Sequence, residues 1–329
     1  MPRRPGPLDA DLGDVFTVAA ALEAGITPAR LRSRDLERPF HGVRRRGRPM
    51  PADASTVGAA EHSRRGRAIV LSDAAACLAV APAHAFLAGR SAAVAWDLPC
   101  DPGDQLCVGV LAPHRAPRRP GVRGVKLSPT LASVVMCSGI RATSPATTWA
   151  YLADTVSFRD LVRIGDAIVR IPRDERARRL PEQQLATPAE LLAAAQAPGR
   201  RHRGILLRAL DEIRVGAMSP LETDFRLLAL GEALPEPVLD AEIRDASGRL
   251  LGIADALYKR YAVIVEIEGD HHRTSREQWL RDLQKHAAYA AAGYELVRLG
   301  ARQIRGRGAD GARVVRAVLE RRGWRGQLS

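Results

Sequence analysis

A mixed α+β architecture in two or three domains is what this sequence predicts, and three observations predict it. From Ser219 onward the apolar spacing passes from helical to alternating, back to helical and again to alternating, so the last third orders as helix, three strands, helix, strand. The first fifty residues carry two short helical patterns and then a basic turn. The stretch between mixes Ala-rich helical runs with short strand-like runs such as QLCVGVLA and GVKLS. At 329 residues and 46% hydrophobic content the chain has room for separate cores, and the expected divisions are 1–50, 51–210 and 211–329.

In the first division the pattern from Thr17 to Glu23 is helical and Gly25 stops it. Thr27 caps a second helix with Pro28 at its first position. That second helix is expected to turn Arg30, Arg32 and Arg34 outward. The residues Phe40 to Val43 then make a turn into Arg44, Arg45 and Arg46. A recognition helix followed by a basic wing is the winged helix-turn-helix arrangement, with its six arginines placed to meet DNA phosphates and base edges. The competing reading is a small packing module whose arginines are simply solvated.

Residues 51–65 read as a connection running into a helix through RAIVLSDAAACLAV, and a further helix is expected from Ser91 to Trp96. Helices follow from Thr147 onward, and a Pro-, Gln- and Arg-rich linker is expected near 177–204. No catalytic constellation stands out in this middle division, where His84 and His114 read as isolated residues.

The last division opens with Ser219, Pro220 and Glu222, a capping-box sequence with Ser at the N-cap, Pro at the first helical position and Glu at the third. After the strand VLDAEIRD comes GIADALY with Asp255, then AVIVEIEGDHH with Glu266 and Glu268. Side chains alternate along a strand, so Glu266 and Glu268 share a face. With a turn centred on Lys259 and Arg260, Tyr258 would pair with Tyr261 and Asp255 with Ile264, which puts Asp255 diagonally across from Glu266 on the same face. Carboxylates gathered on a central sheet repel one another unless a cation lies between them, so the cluster reads as a divalent-metal site. Glu222 has a capping reading that requires no chemistry. A long helix is expected from about Ser275 to Ala292, closed by Gly293 and followed by the strand YELVRLG.

A net charge of +13 and a pI near 10.6 imply an anionic partner, with nucleic acid the first choice. Only Lys126, Lys259 and Lys285 are lysines, so a GC-rich coding bias toward Arg is a second source of that charge. The four cysteines lack any CxxC pair, which speaks against a zinc site and a disulfide framework and suits a reducing cytoplasm. The first residues lack a signal-peptide pattern, and the longest apolar stretch falls short of the roughly 20 residues that span a bilayer, so the expected location is cytoplasmic.

These residues resemble the PD-(D/E)xK nuclease superfamily, in particular the endonuclease-like family known as domain of unknown function 559, related to very-short-patch repair endonucleases. The resemblance covers the last third. It rests on Ser219 to Glu222, Asp255, Glu266 to Gly269 with His272, Trp279 with Asp282, and Gly293 with Tyr294. It implies a restriction-endonuclease-like α/β domain and a DNA endonuclease in which Asp255, Glu266 and Glu222 hold Mg²⁺ or Mn²⁺, with Glu268 as a further carboxylate. The superfamily lysine is replaced here by Glu268. His272 is then a candidate base, and Lys259 or Lys285 a candidate source of positive charge. The remainder is similar to proteins with an AbiEi-type antitoxin N-terminal region, through the winged-helix segment and GIRATSPATTWAYLAD, where Thr147 and Tyr151 stand in place of the usual Arg and Asp. That second resemblance implies a non-enzymatic alternative: a DNA-binding repressor and antitoxin with a cognate toxin as partner.

Overall fold

A computed structural model describes residues 8, 10–47, 59–269, 276–306 and 308–326. The chain is mixed α+β, as its patterning predicts. It divides into two compact units, 1–154 with 196–201, and 155–195 with 202–329.

The first unit begins with β1 (Val15–Thr17) and α1 (Val18–Glu23), where the Thr17 hydroxyl accepts from the Ala20 amide and so caps the helix. The strands β2 (Leu36–Glu37) and β3 (Val43–Arg46) form the expected basic hairpin, and the three strands pair antiparallel in the order β1-β3-β2. The expected recognition helix is absent. Between Thr27 and Ser33 the chain makes a single 3-10 turn, Arg30–Arg32. Its single buried side chain, Leu31, leaves too little apolar surface to hold a longer helix against the core.

Next come α2 (Ala59–Leu78), β4 (Phe86–Leu87), α3 (Gly89–Ala95), β5 (Leu106–Leu111), β6 (Val122–Leu127), β7 (Val134–Cys137), β8 (Ile140–Thr143) and α4 (Pro145–Leu152). The five strands form a mixed sheet ordered β6-β5-β4-β8-β7, and α2 and α3 share its core through Val70, Ala74, Ala92 and Val108. His84 and His114 are not isolated: their rings stack with centroids 3.7 Å apart.

The second unit starts with α5 (Phe158–Val169), α6 (Pro188–Gln196) and α7 (Arg203–Glu212), then α8 (Pro220–Gly231). The expected boundary at 210 falls inside this unit, because α5 is tied to α8. The fully buried Asp166 of α5 accepts from Thr223 Oγ1 at 2.8 Å and pairs with the buried Arg226 at 3.3 Å, and it also takes the Arg214 amide at 2.7 Å. Arg163 of α5 likewise meets the buried Asp224.

The strands β9 (Val238–Arg244), β10 (Leu250–Tyr258) and β11 (Val263–Glu268) follow, then α9 (Arg276–Ala291), β12 (Glu295–Gly300), α10 (Ala301–Arg305) and α11 (Gly311–Arg321). This is the predicted order, with Gly293 at φ +86° closing α9. The sheet runs β12-β11-β10-β9, with β11 and β12 parallel as a helical crossover allows and the other pairs antiparallel. One face packs Ala256, Tyr258, Val263 and Val265 against Leu221, Phe225 and Val315 of α8 and α11. The other packs Leu257, Ile264 and Ile243 against Tyr289 of α9. Among the described residues no helix is long and apolar enough to cross a membrane.

Candidate active site

The turn joining β10 and β11 fixes where the carboxylates meet. It is a 3-10 turn over Lys259–Tyr261 closed by Ala262 in the left-handed region, so Tyr258 faces Val263, where the sequence alone suggested Tyr261. Relative to that expectation the register moves by two residues. An even shift keeps every side chain on its face, and extending the ladder sets Asp255 directly opposite Glu266 instead of diagonal to it. The two strands part at this point: the Ile267 amide donates to Asp255 Oδ2 at 2.6 Å. A side chain thus takes a backbone donor that a continued ladder would have used.

Three neighbouring elements bring charge to Asp255. From α8, Glu222 is 6% exposed and accepts from the Met218 amide at 2.8 Å, while Ser219 Oγ accepts from the Glu222 amide at 3.2 Å. The capping box therefore forms in a shifted version, with Glu222 reaching one residue farther back than the N-cap. From β9, the buried Asp240 lies opposite Asp255 in the ladder, at φ +48°, and is held by Arg173 at 2.8 Å and Arg179 at 2.9 Å. From α9, Lys285 Nζ stands 2.9 Å from Glu266 Oε1.

Burial, and then repulsion from Asp255, push the Glu222 carboxyl up to about 8. Burial, and then the charge of Glu266, push Asp255 up to about 6 against the opposing pull of the Ile267 amide and Lys285. For Glu222 the sign of the linkage is clear. The unfolded carboxyl loses its proton near 4.5 and the folded one holds it to about 8, so its contribution is full below 4.5 and is lost as pH rises toward 8. Metal-free protein should lose on the order of 5 kcal/mol across that window, and Glu222→Gln should flatten the loss. Urea midpoints in EDTA at pH 5 and pH 9 measure this, and an equal pH slope in the variant would exclude Glu222 as the cause.

Oxygen-only donors on rigid strands suit a hard cation of the Mg²⁺ or Mn²⁺ kind, and a cation would relieve the repulsion that raises both carboxyls. Among the described residues no three His, Cys, Asp or Glu side chains are grouped as a ready metal cage. The donor set that fits is the pair Asp255 and Glu266, with Glu222 beside Asp255.

Of the other expected site residues, Glu268 is engaged in an ion pair with Arg298 of β12. Lys285 reaches the carboxylates, whereas Lys259 sits in the turn at the opposite end of the strands. His272 lies outside the described residues, as do the side chains of Trp279 and Asp282. Asp240 and Tyr289 were missed by sequence reasoning. An acidic residue inside VLDAEIRD was a visible signal for the first, and nothing local marked the second.

Among the six arginines expected on DNA, at least three are occupied by described residues of the unit. Arg30 makes a two-pronged pair with Asp35 at 3.0 and 2.7 Å, and Arg44 donates to the Leu31 carbonyl at 2.7 Å. Arg45 binds Glu37 at 2.6 Å and Asp73 of α2 at 2.5 Å. Arg46 is half-buried, and Arg32 and Arg34 are exposed. The C-terminal arginines follow the same trend, with Arg321 and Arg322 on Glu295 and Arg305 on Asp224.

No protein-family model matches the chain, and no curated protein matches it.

Proposed function

We propose that the second unit is a divalent-metal-dependent DNA endonuclease, hydrolysing phosphodiester bonds at Asp255 and Glu266. The observation that carries this reading is the buried Glu222 set beside the half-buried Asp255, where β10 and β11 part and the Lys285–Glu266 ion pair faces them. Buried, mutually repelling carboxylates cost stability and are kept where chemistry uses them. When bound, a Mg²⁺ or Mn²⁺ ion would supply Lewis acidity and lower the pKa of a coordinated water. The Ile267 amide fixes Asp255 in orientation, and the Met218 amide does the same for Glu222. Lys285 brings the positive charge that the strand motif lacks at Glu268, and at 28% exposure its ammonium is within reach of an incoming phosphate oxygen. The resemblance to the PD-(D/E)xK endonucleases supports the same assignment.

The first unit, on this reading, contributes duplex binding through Arg32 and Arg34. Changing either to Ala should weaken duplex retention and lower the slope of log affinity against log salt by about one for each phosphate contact removed. Fluorescence anisotropy over a salt series tests this, and unchanged slopes in both variants would remove these residues from the interface.

A second reading is favoured by the Arg298–Glu268 pair, which neutralises the position of the superfamily lysine. The chain is then a non-enzymatic DNA-binding repressor or antitoxin. Plasmid and single-stranded DNA incubated with Mg²⁺, Mn²⁺ or EDTA decide between the two. Metal-dependent cutting supports the nuclease, and retention of DNA without cutting in any condition supports the regulator.

A further inference from the structure

The face that α9 turns to the carboxylates holds two groups one helical turn apart, Lys285 and Tyr289. Tyr289 is completely buried, yet among the described residues its hydroxyl has no hydrogen-bond partner. A buried hydroxyl without a partner is costly, and such groups in native proteins generally meet water, an ion or a ligand. This one lies beside the site. The phenol is raised by burial and then by the charges of Glu266 and Asp255, so both carboxylates are near it. A Cβ placed on Gly252 of β10 would come within 2.5 Å of the hydroxyl and 3.1 Å of the Lys285 Cε, so only glycine leaves room for both side chains against the sheet. Lys285 Nζ is 5.5 Å from the Tyr289 ring centre and 2.9 Å from Glu266 Oε1. The cradle therefore gathers an ammonium, a phenol and a carboxylate around one point.

We propose that α9 supplies the second half of the cation site: Lys285 is an internal counter-ion that a divalent cation displaces from Glu266, and the Tyr289 hydroxyl hydrogen-bonds the hydration shell of that cation. The inference rests on the metal-dependent reading above and adds to it two residues and a competition. An ammonium and a divalent ion cannot both be the close partner of one carboxylate oxygen, so each lowers the occupancy of the other. The apparent affinity for the metal falls by the fraction of protein in which Lys285 holds Glu266. Lys285 then reads as a gate on metal entry, which in the loaded protein is left beside the site as a donor for phosphate oxygens.

The experiment is isothermal titration of the full chain with Mn²⁺ and with Ca²⁺, alongside melting with and without each ion. The variants are Lys285→Met, Lys285→Arg, Tyr289→Phe and Glu266→Gln. Lys285→Met should bind the ions about tenfold more tightly, consistent with a competitor that occupies Glu266 roughly nine-tenths of the time, while Lys285→Arg stays near wild type. Tyr289→Phe should melt higher than wild type in EDTA, since it removes an unpartnered buried hydroxyl, and should gain less from the ions. These two effects have opposite signs, which a purely structural role for the tyrosine would not produce. Ion affinity in Lys285→Met equal to or weaker than wild type, with binding intact in wild type and lost in Glu266→Gln, overturns this inference and leaves the metal site standing. Failure of the wild type and every variant to bind either ion overturns the metal site and this inference together.

Discussion

Asp255→Asn is expected to abolish divalent-dependent cleavage while raising the thermal stability of the metal-free protein at pH 8. The loss should be roughly three orders of magnitude or more, the scale on which groups that organise charge at a reacting phosphate act. The gain has a separate cause. Burial and Glu266 hold the Asp255 carboxyl up to about 6, so at pH 8 the folded protein carries an ionised group it disfavours. The unfolded carboxyl ionises near 3.8, so Asp255 contributes its full stability below that value and loses it as pH rises through about 6. Asparagine removes the charge and keeps an oxygen for the Ile267 amide, which should stabilise by about 1–3 kcal/mol at pH 8 and by little at pH 4. Plasmid cleavage in Mn²⁺ and melting in EDTA at both pH values check the two halves. A variant that cleaves like wild type would refute the assignment of Asp255, and one that melts lower at pH 8 would refute the account of its charge.

The largest effect on folding is expected at Asp166. Replacing it by Ala leaves the Arg226 guanidinium fully buried, with Glu212 Oε2 at 3.7 Å as its remaining acidic partner. Stranding a buried charge costs about 3–5 kcal/mol, a large share of the roughly 5–15 kcal/mol that holds a domain folded. The double variant Asp166→Leu with Arg226→Met should recover most of that loss, since an apolar pair of similar size removes both charges from the core. Urea unfolding of wild type, both single variants and the double closes the cycle. If the double variant is no more stable than Asp166→Ala, the pair is not a unit and the loss comes from the Thr223 and Arg214 bonds that Asp166 also accepts.

The last third was legible in the sequence because its elements are long and its periods distinct. Ser219 opens α8, Gly293 closes α9, and three alternating runs lie between them. The hairpin register was harder to read, since nothing in Lys-Arg-Tyr-Ala announces a left-handed Ala262, a conformation that alanine seldom adopts. The face of each carboxylate survived this because the error in register was even. The second N-terminal helix failed for the opposite reason. Thr27 and Pro28 are sound starting signals, but they describe how a helix begins, and the segment after them buries too little to continue. Pairing between distant residues was invisible throughout. Asp166 meets Arg226 across sixty positions, Lys285 finds Glu266 where Lys259 was equally available on paper, and Arg30, Arg44 and Arg45 are taken by neighbours that spacing could not rank.

The left-handed residue Asp240 has a consequence for how the sheet can change. Leu239 packs with the layer of α8 and α11, whereas Ala241 and Ile243, which regular alternation would put on its side, pack with α9. The strand changes phase at the carboxylate. Substitutions on the two sides of Asp240 therefore answer to different cores, so one helical layer can drift in volume and shape while the other, and the acidic residue between them, stays in place.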